Sequence, residues 1–196
     1  FLMGRIGAAE LAAHSVALQI ASFTFQVAYG VSQAATIRVG YHYGAGDRAG
    51  IARAGRAALL MAVGFMATAG LVLLAMPRAF LAIYIDAGDP TNARLMTIGA
   101  HYLFVAAAFQ IFDGTQAVAS GLLRGLRDTR APMLIAIGGY WLIGFVLAAG
   151  LGLATPLGGL GVWIGLAAGL VVVASALVWR WRLRETNGLL PEPARG

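Results

Sequence analysis

Charged residues divide this chain into long apolar runs. Between Glu10 and Arg38 stand 27 residues without Asp, Glu, Lys or Arg, between Arg56 and Arg78 stand 21, and between Arg130 and Arg180 stand 49. A helix needs roughly 20 mostly apolar residues to cross the hydrocarbon of a bilayer, so the first two runs each predict one span and the third predicts two. Thr155, Pro156, Gly158 and Gly159 interrupt the third run near its middle, as a helix-to-helix turn would. The stretch from Arg94 to Arg124 is apolar except for Asp113 and predicts a fifth span. The expected helices are Leu11 to Ile37, Ala57 to Met76, Thr97 to Leu123, Met133 to Leu153 and Leu160 to Val178. Ahead of them, Phe1 to Gly7 reads as the last turn of an earlier helix. It has no initiator Met and no basic leader segment, so the chain is expected to be a piece of a longer membrane protein. The expected fold class is all-α, a polytopic membrane bundle of five complete transmembrane helices plus the end of a sixth.

Composition supports the bilayer as solvent. The chain is 60% hydrophobic and 11% charged, whereas a soluble domain carries about 25% charged residues. The absence of Cys removes disulfides, thiol catalysis and cysteine-based metal sites. The net charge of +6 suggests a nucleic-acid binder only if the basic residues gather on one soluble face, and they do not. All 14 basic residues are Arg. Arg38, Arg48, Arg53 and Arg56 follow the first predicted helix, Arg124, Arg127 and Arg130 follow the third, and Arg180, Arg182, Arg184 and Arg195 follow the fifth. The opposite side holds Arg5, Arg78 and Arg94, balanced by Glu10, Asp86 and Asp89. Five spans fit this alternation, and the positive-inside rule puts the arginine-rich side and the C-terminus in the cytoplasm of a bacterial-type inner membrane. The charge is thereby explained as topology, and no nucleic-acid partner is expected.

Asp113 is the one acid inside a predicted span, and such residues usually face a cavity or a partner and mark ion or proton pathways. At about 100° per residue, Tyr102, Ala106, Gln110, Gln116, Ala117 and Ser120 fall within roughly 60° of it, a polar or small stripe along the whole helix. A structural bond to a neighbouring helix is the alternative role for the acid. On the first helix, Ser15, Gln19, Ser22, Gln26 and Gln33 lie within about 40° of one line, with Tyr29 close by. Amides in lipid find partners across helices or line water, so this face is expected to point inward, as a cavity wall or as packing polarity. His14, His42 and His101 have no metal-ligand spacing and are assigned to helix ends and interfaces. Gly44, Gly46 and Gly50 miss the phosphate-loop spacing and read as a turn. Gly161, Gly165 and Gly169 make two consecutive GxxxG steps, which permit close helix approach. No serine elbow, HExxH pair or close carboxylate couple is present, so no enzymatic chemistry is expected.

Three stretches resemble a known family. Ala12, Ala13, His14 through Ala34, Ala35, Thr36, Ile37, Arg38, Val39, Gly40 to Gly44, Ala45, Gly46, Asp47 resembles the eighth helix and following loop of the multidrug and toxic compound extrusion (MATE) family. Phe112, Asp113, Gly114, Thr115, Gln116 to Gly121, Leu122, Leu123, Arg124, Gly125, Leu126, Arg127, Asp128, Thr129, Arg130 resembles the tenth helix and loop of its NorM branch. Tyr140, Trp141 and Pro156, Leu157, Gly158 to Trp163, Ile164, Gly165 resemble the last two helices. The likeness covers nearly the whole chain. It implies that residues 1–196 are the C-terminal lobe of a twelve-helix transporter, from the end of helix seven to helix twelve, with a cytoplasmic tail over 180–196.

The resemblance also implies secondary antiport, in which H⁺ or Na⁺ entry drives export of small cationic, often aromatic, drug-like substrates, with no other cofactor. Asp113 takes the family's cation-coupling position, which a proton or Na⁺ would occupy. Ser15, Gln19, Ser22, Gln26, Gln33, Tyr102, Phe109, Gln110, Gln116 and Ser120 are the candidate cavity-lining residues. The partners implied are the bilayer and an N-terminal lobe of the same protein, with a second carboxylate upstream of Phe1. Ser15 stands where this branch often has Gln, and Phe109 where sodium-coupled members can have Tyr. The competing expectations are a lipid-linked oligosaccharide flippase and a non-transporting membrane scaffold. The first needs cationic residues inside its cavity for phosphate groups, and the predicted helix interiors have none.

Overall fold

The computed structural model describes residues 2–192; Phe1 and Arg195, together with the end of the 180–196 tail, lie outside them. The described elements are helical in the order α1 (Leu2–Ile6), α2 (Ala8–Gly44), α3 (Arg48–Ala75), α4 (Pro77–Leu81), α5 (Ala93–Gly125), α6 (Arg130–Ile137), α7 (Val146–Leu153) and α8 (Gly159–Arg182). A 3₁₀ turn at Pro90–Asn92 leads into α5, and a π-helical stretch at Gly138–Phe145 joins α6 to α7 without a break. Five helices are long and apolar enough to cross a membrane: α2, α3, α5, the α6–π–α7 composite and α8. All-helical spans are what a bilayer demands, because lipid offers no partner to an unpaired N–H or C=O.

The helices outrun the ends expected from the charge pattern. α2 continues past Ile37 to Gly44 and α3 begins at Arg48 rather than Ala57, so Arg38, Arg48, Arg53 and Arg56 sit on helical turns and not in a loop. At 1.5 Å per residue, the 37 residues of α2 span about 55 Å against roughly 30 Å of hydrocarbon, so several turns stand in the interface. Arginine tolerates that placement because its stem lies along apolar surface while its head reaches water. The connection shrinks to Ala45, Gly46 and Asp47. Gly46 takes φ 69°, and the Asp47 carboxylate accepts a bond of 2.7 Å from the Gly50 N–H, capping α3. His42 Nδ1 and Arg53 approach the same carboxylate at 3.0 and 3.6 Å.

α5 is the central helix. It packs most extensively on α2 and also against α3 and α8. Helices in lipid gain little from burying apolar surface against each other, so the α2–α5 contact depends on close approach and polar bonds. A Cβ on Gly121 would lie 2.6 Å from the Ser32 carbonyl oxygen, and one on Gly125 would lie 2.9 Å from that of Thr36. The buried Ser32 hydroxyl donates to the Ala117 carbonyl at 2.7 Å, and Thr36 Oγ1 lies 2.9 Å from the Gly121 carbonyl.

α8 uses the expected glycine steps in the same way. A Cβ on Gly169 would stand 2.6 Å from Gly144 Cα, and one on Gly165 would stand 2.6 Å from the Leu147 carbonyl carbon. These contacts fall on the π stretch and α7, and the π geometry of Gly138–Phe145 is the irregularity within the continuous fourth helix that the sequence predicts. Across the bundle, the left-handed Arg127 (φ 65°) ends α5, and its Asp128 pairs with Arg180 of α8 at 2.5 Å, the Asp128 side chain being only 8% exposed.

Two predictions follow from this packing. Gly165→Leu is expected to cost about 1–3 kcal/mol through overpacking, whereas Gly150→Ala, where a Cβ meets open space, leaves stability unchanged. The detergent-unfolding midpoints of the two full-length variants check this. The Gly50 N–H, followed by the Arg53 and His42 charges, holds the Asp47 carboxyl below the ordinary aspartate value of 3.8. Its cap is therefore fully present above that value and is lost as pH falls through the lower folded value. Asp47→Ala and strong acidification are both expected to lower the amide protection factors in the first turn of α3, measured against the intrinsic exchange rate at each pH, and at neutral pH only the substitution does so.

Candidate functional site

Asp113 lies on α5 at the middle of the bundle and is half-buried. It takes part in none of the five ion pairs among the described residues. The turn on which it sits is fixed by Gly114, where a Cβ would lie 3.4 Å from the Ala28 Cβ of α2 and closer still to Met66 of α3. The close approach of three helices thus fixes the backbone that carries the carboxylate. A carboxylate held without a cationic partner at membrane depth is suited to bind a proton or a hard cation.

The rest of the α5 stripe divides into two groups. Tyr102 and Gln110 are buried, at 2% and 0% exposure, and belong to the packed interior. Phe109, Gln116 and Ser120 are half-buried. Tyr102 and Phe109 stack on the indole of Trp163 from α8, with ring centroids 5.7 and 5.8 Å apart, and His14 of α2 meets the same indole edge-on at 5.6 Å. Gln110 Nε2 donates to Thr24 Oγ1 of α2 at 2.7 Å, and Thr24 passes its own hydrogen to the Ala21 carbonyl at 2.8 Å. Gln110 Oε1 is buried with no partner among the described residues. On the other side of Thr24, an apolar groove of 470 Å³ opens between α2 and α3, walled by Phe23, Phe65 and Tyr84.

The α2 stripe lies elsewhere. Ser15, Gln19, Ser22, Gln26 and Gln33 are all exposed, as is Tyr29, and the Ser15 hydroxyl merely returns to the Leu11 carbonyl at 2.9 Å. The residues of α2 that enter the core, Ala13, Ala17, Ala28, Ser32, Ala35 and Val39, centre roughly 150° away around the helix. The structure therefore joins Tyr102 and Phe109 through Trp163 and ties Gln110 to Thr24, leaves Asp113 half-buried further along α5, and presents the α2 glutamines on a separate surface outside this bundle's core.

Sequence reading did not single out Thr24, Ser32, Thr36 or the Asp128–Arg180 pair. Ser32 and Thr36 do carry a signal, because Ala28, Ser32 and Thr36 on α2 and Gly114, Gly121 and Gly125 on α5 recur at spacings of four and seven. Arg180 and Asp128 are 52 residues apart, and no local pattern connects them.

The MatE family model matches residues 1–150. A probable multidrug resistance protein NorM from Brucella suis is 52% identical over 181 residues, which is 92% of this chain and 38% of the relative. The multidrug resistance protein NorM of Burkholderia vietnamiensis is 48% identical over 191 residues, covering 97% of this chain and 41% of the relative. A probable NorM from Deinococcus radiodurans is 40% identical over 95% of this chain. The chain thus spans about two fifths of the length of the curated relatives it matches. Among solved structures, a eukaryotic MATE transporter superposes with a TM-score of 0.82 at 23% identity, over 89% of this chain and 38% of the other. A MATE protein crystallised with MaD3S gives 0.85 at 17% identity, over 97% of this chain and 41% of the other. Those two likenesses establish the fold. Neither a flippase nor a scaffold is favoured by these relatives. The extent of the family match, the identity to NorM proteins and the shared helical fold together place this multi-pass membrane chain in the MatE family.

Proposed function

We propose that this chain is the C-terminal lobe of a secondary multidrug exporter, comprising the end of helix seven and helices eight to twelve. The whole protein exchanges H⁺ or Na⁺ for small cationic and aromatic compounds. Asp113 is the coupling group, and it carries the proposal: it is a half-buried carboxylate inside a spanning helix, engaged in no ion pair among the described residues. An unpaired intramembrane acid is costly to insert, roughly 2.5–3.5 kcal/mol, and is retained where it does work. Binding a proton or a cation there removes the charge and changes which arrangement of the two lobes is favoured, which is all that coupling requires.

The NorM relatives support drug-like cargo for the whole protein, since their names describe multidrug resistance. The exposed α2 stripe of Ser15, Gln19, Ser22, Gln26 and Gln33 supports a wet cleft facing the N-terminal lobe, because amide groups that find no partner within the bundle need water or a second surface. The half-buried Phe109, Gln116 and Ser120 are the candidate lining on the α5 side, on the same helix as Asp113. Positive-inside asymmetry supports an inner-membrane orientation with the arginine-rich end and the C-terminus cytoplasmic.

Asp113→Asn in the full-length protein is expected to abolish efflux of a cationic dye, at least about ten-fold, while membrane insertion and detergent monodispersity stay normal. Unchanged dye efflux would overturn the role of Asp113. Proteoliposomes carrying either a pH or a sodium gradient then identify the coupling ion by which gradient drives uptake.

A further inference from the structure

At the arginine-rich end of the bundle, α3 and the end of α8 enclose a groove of 540 Å³ that plays no part in the coupling site. Its apolar walls are Leu59, Val178 and Trp181, and its rim carries Arg56, Arg182 and Arg184. The groove exists because Trp181 is driven between the two helices: its indole, 5% exposed, lies against Gly55, where a Cβ would come within 3.0 Å of Cε2. Arg184 folds back over the ring with its guanidinium carbon 4.6 Å from the centroid, and Nη1 donates to the Trp181 carbonyl at 2.9 Å. Its Nε–H, shielded from solvent, has no acceptor among the described residues. None of the three rim arginines takes part in the ion pairs among the described residues. The larger groove between α2 and α3 differs in this respect, because Asp47 stands 3.6 Å from its Arg53.

We infer that this groove binds an anionic glycerophospholipid of the membrane leaflet that meets the arginine-rich end. Three guanidinium groups at the mouth, none of them in an ion pair among the described residues, match a phosphate, for which arginine offers paired donors in a planar fork. The apolar walls running from the rim into the membrane match an acyl chain rather than a soluble anion. Basic pockets between transmembrane helices are a recurrent form of lipid headgroup site. Trp181, packed against Gly55, holds the floor of the groove in place. The bound lipid would bridge the start of α3 to the end of α8, so it would stabilise the bundle where those helices leave the bilayer.

Native mass spectrometry of the purified full-length protein tests the site, with phosphatidylglycerol and phosphatidylcholine offered in equal amounts. The wild type is expected to retain phosphatidylglycerol preferentially. Near-surface arginines contribute about 5-fold each to anionic lipid binding, so Arg56→Gln with Arg184→Gln should reduce retention about 25-fold. The charge-matched pair Arg127→Gln with Arg130→Gln should leave it unchanged. Equal retention of the two lipids by the wild type overturns the inference whether or not the variants fold, as does equal loss in both variant pairs. A rise in unfolding midpoint with millimolar inorganic phosphate equal to that with phosphatidylglycerol also overturns it, because the site then recognises a free anion. None of these readouts depends on dye transport, so the site and the exporter function fail or stand separately.

Discussion

The close contact between α2 and α5 is the constraint on which the rest of the bundle rests. In water, two such helices would be driven together by burying apolar surface, but lipid tails are as apolar as the helices and remove that drive. What remains is fit and polarity. Gly121 and Gly125 let the α2 backbone approach at Ser32, Thr36 and Val39, and the Ser32, Thr36 and Gln110 side chains place hydrogen bonds across the seam. α5 is thereby fixed along its length, and α3 and α8 pack around it.

That fixation gives Asp113 its setting. A carboxylate on a loosely held helix could rotate toward water or snorkel to a headgroup, whereas Gly114, lodged against Ala28 and Met66, leaves the neighbouring side chain little choice of direction. The aromatic cluster of Tyr102, Phe109 and Trp163 closes the same helix face on the Glu10 side of the acid. Rigid surroundings suit a coupling group, since occupancy of one site alters the balance between conformations only if its contacts differ between them.

Much of this was legible beforehand. Five spans, their order and the sidedness of the arginines came from runs of apolar residues, and Asp113 was conspicuous as the acid that interrupts one. The Gly161, Gly165 and Gly169 steps were visible as a packing motif, and they do meet the backbone of the π stretch and α7. The helices run past the ends that charge predicts, because charge marks the edge of the hydrocarbon while the backbone remains helical through the interface until Gly46 and Asp47 turn it. The π stretch at Gly138–Phe145 left no sign in hydropathy, since one extra residue per turn does not change an entirely apolar sequence.

The candidate site shows the same division. On α5, Tyr102 and Gln110 share an angular stripe with Asp113, yet both are packed away in the interior, while the glutamines of α2 lie on the opposite side of their helix from the core. Hydropathy records the contrast between lipid and water along the chain, so the sequence by itself determined how many times this chain crosses and which end gathers charge. It does not record which face of a membrane helix meets another helix, because protein interior and lipid are equally apolar and the periodicity that distinguishes them in water is absent. Only the tertiary structure decided that, through the fit of glycines and hydroxyls against particular neighbours. The Asp128–Arg180 pair and the arginine-rimmed groove at Trp181 belong to the same category.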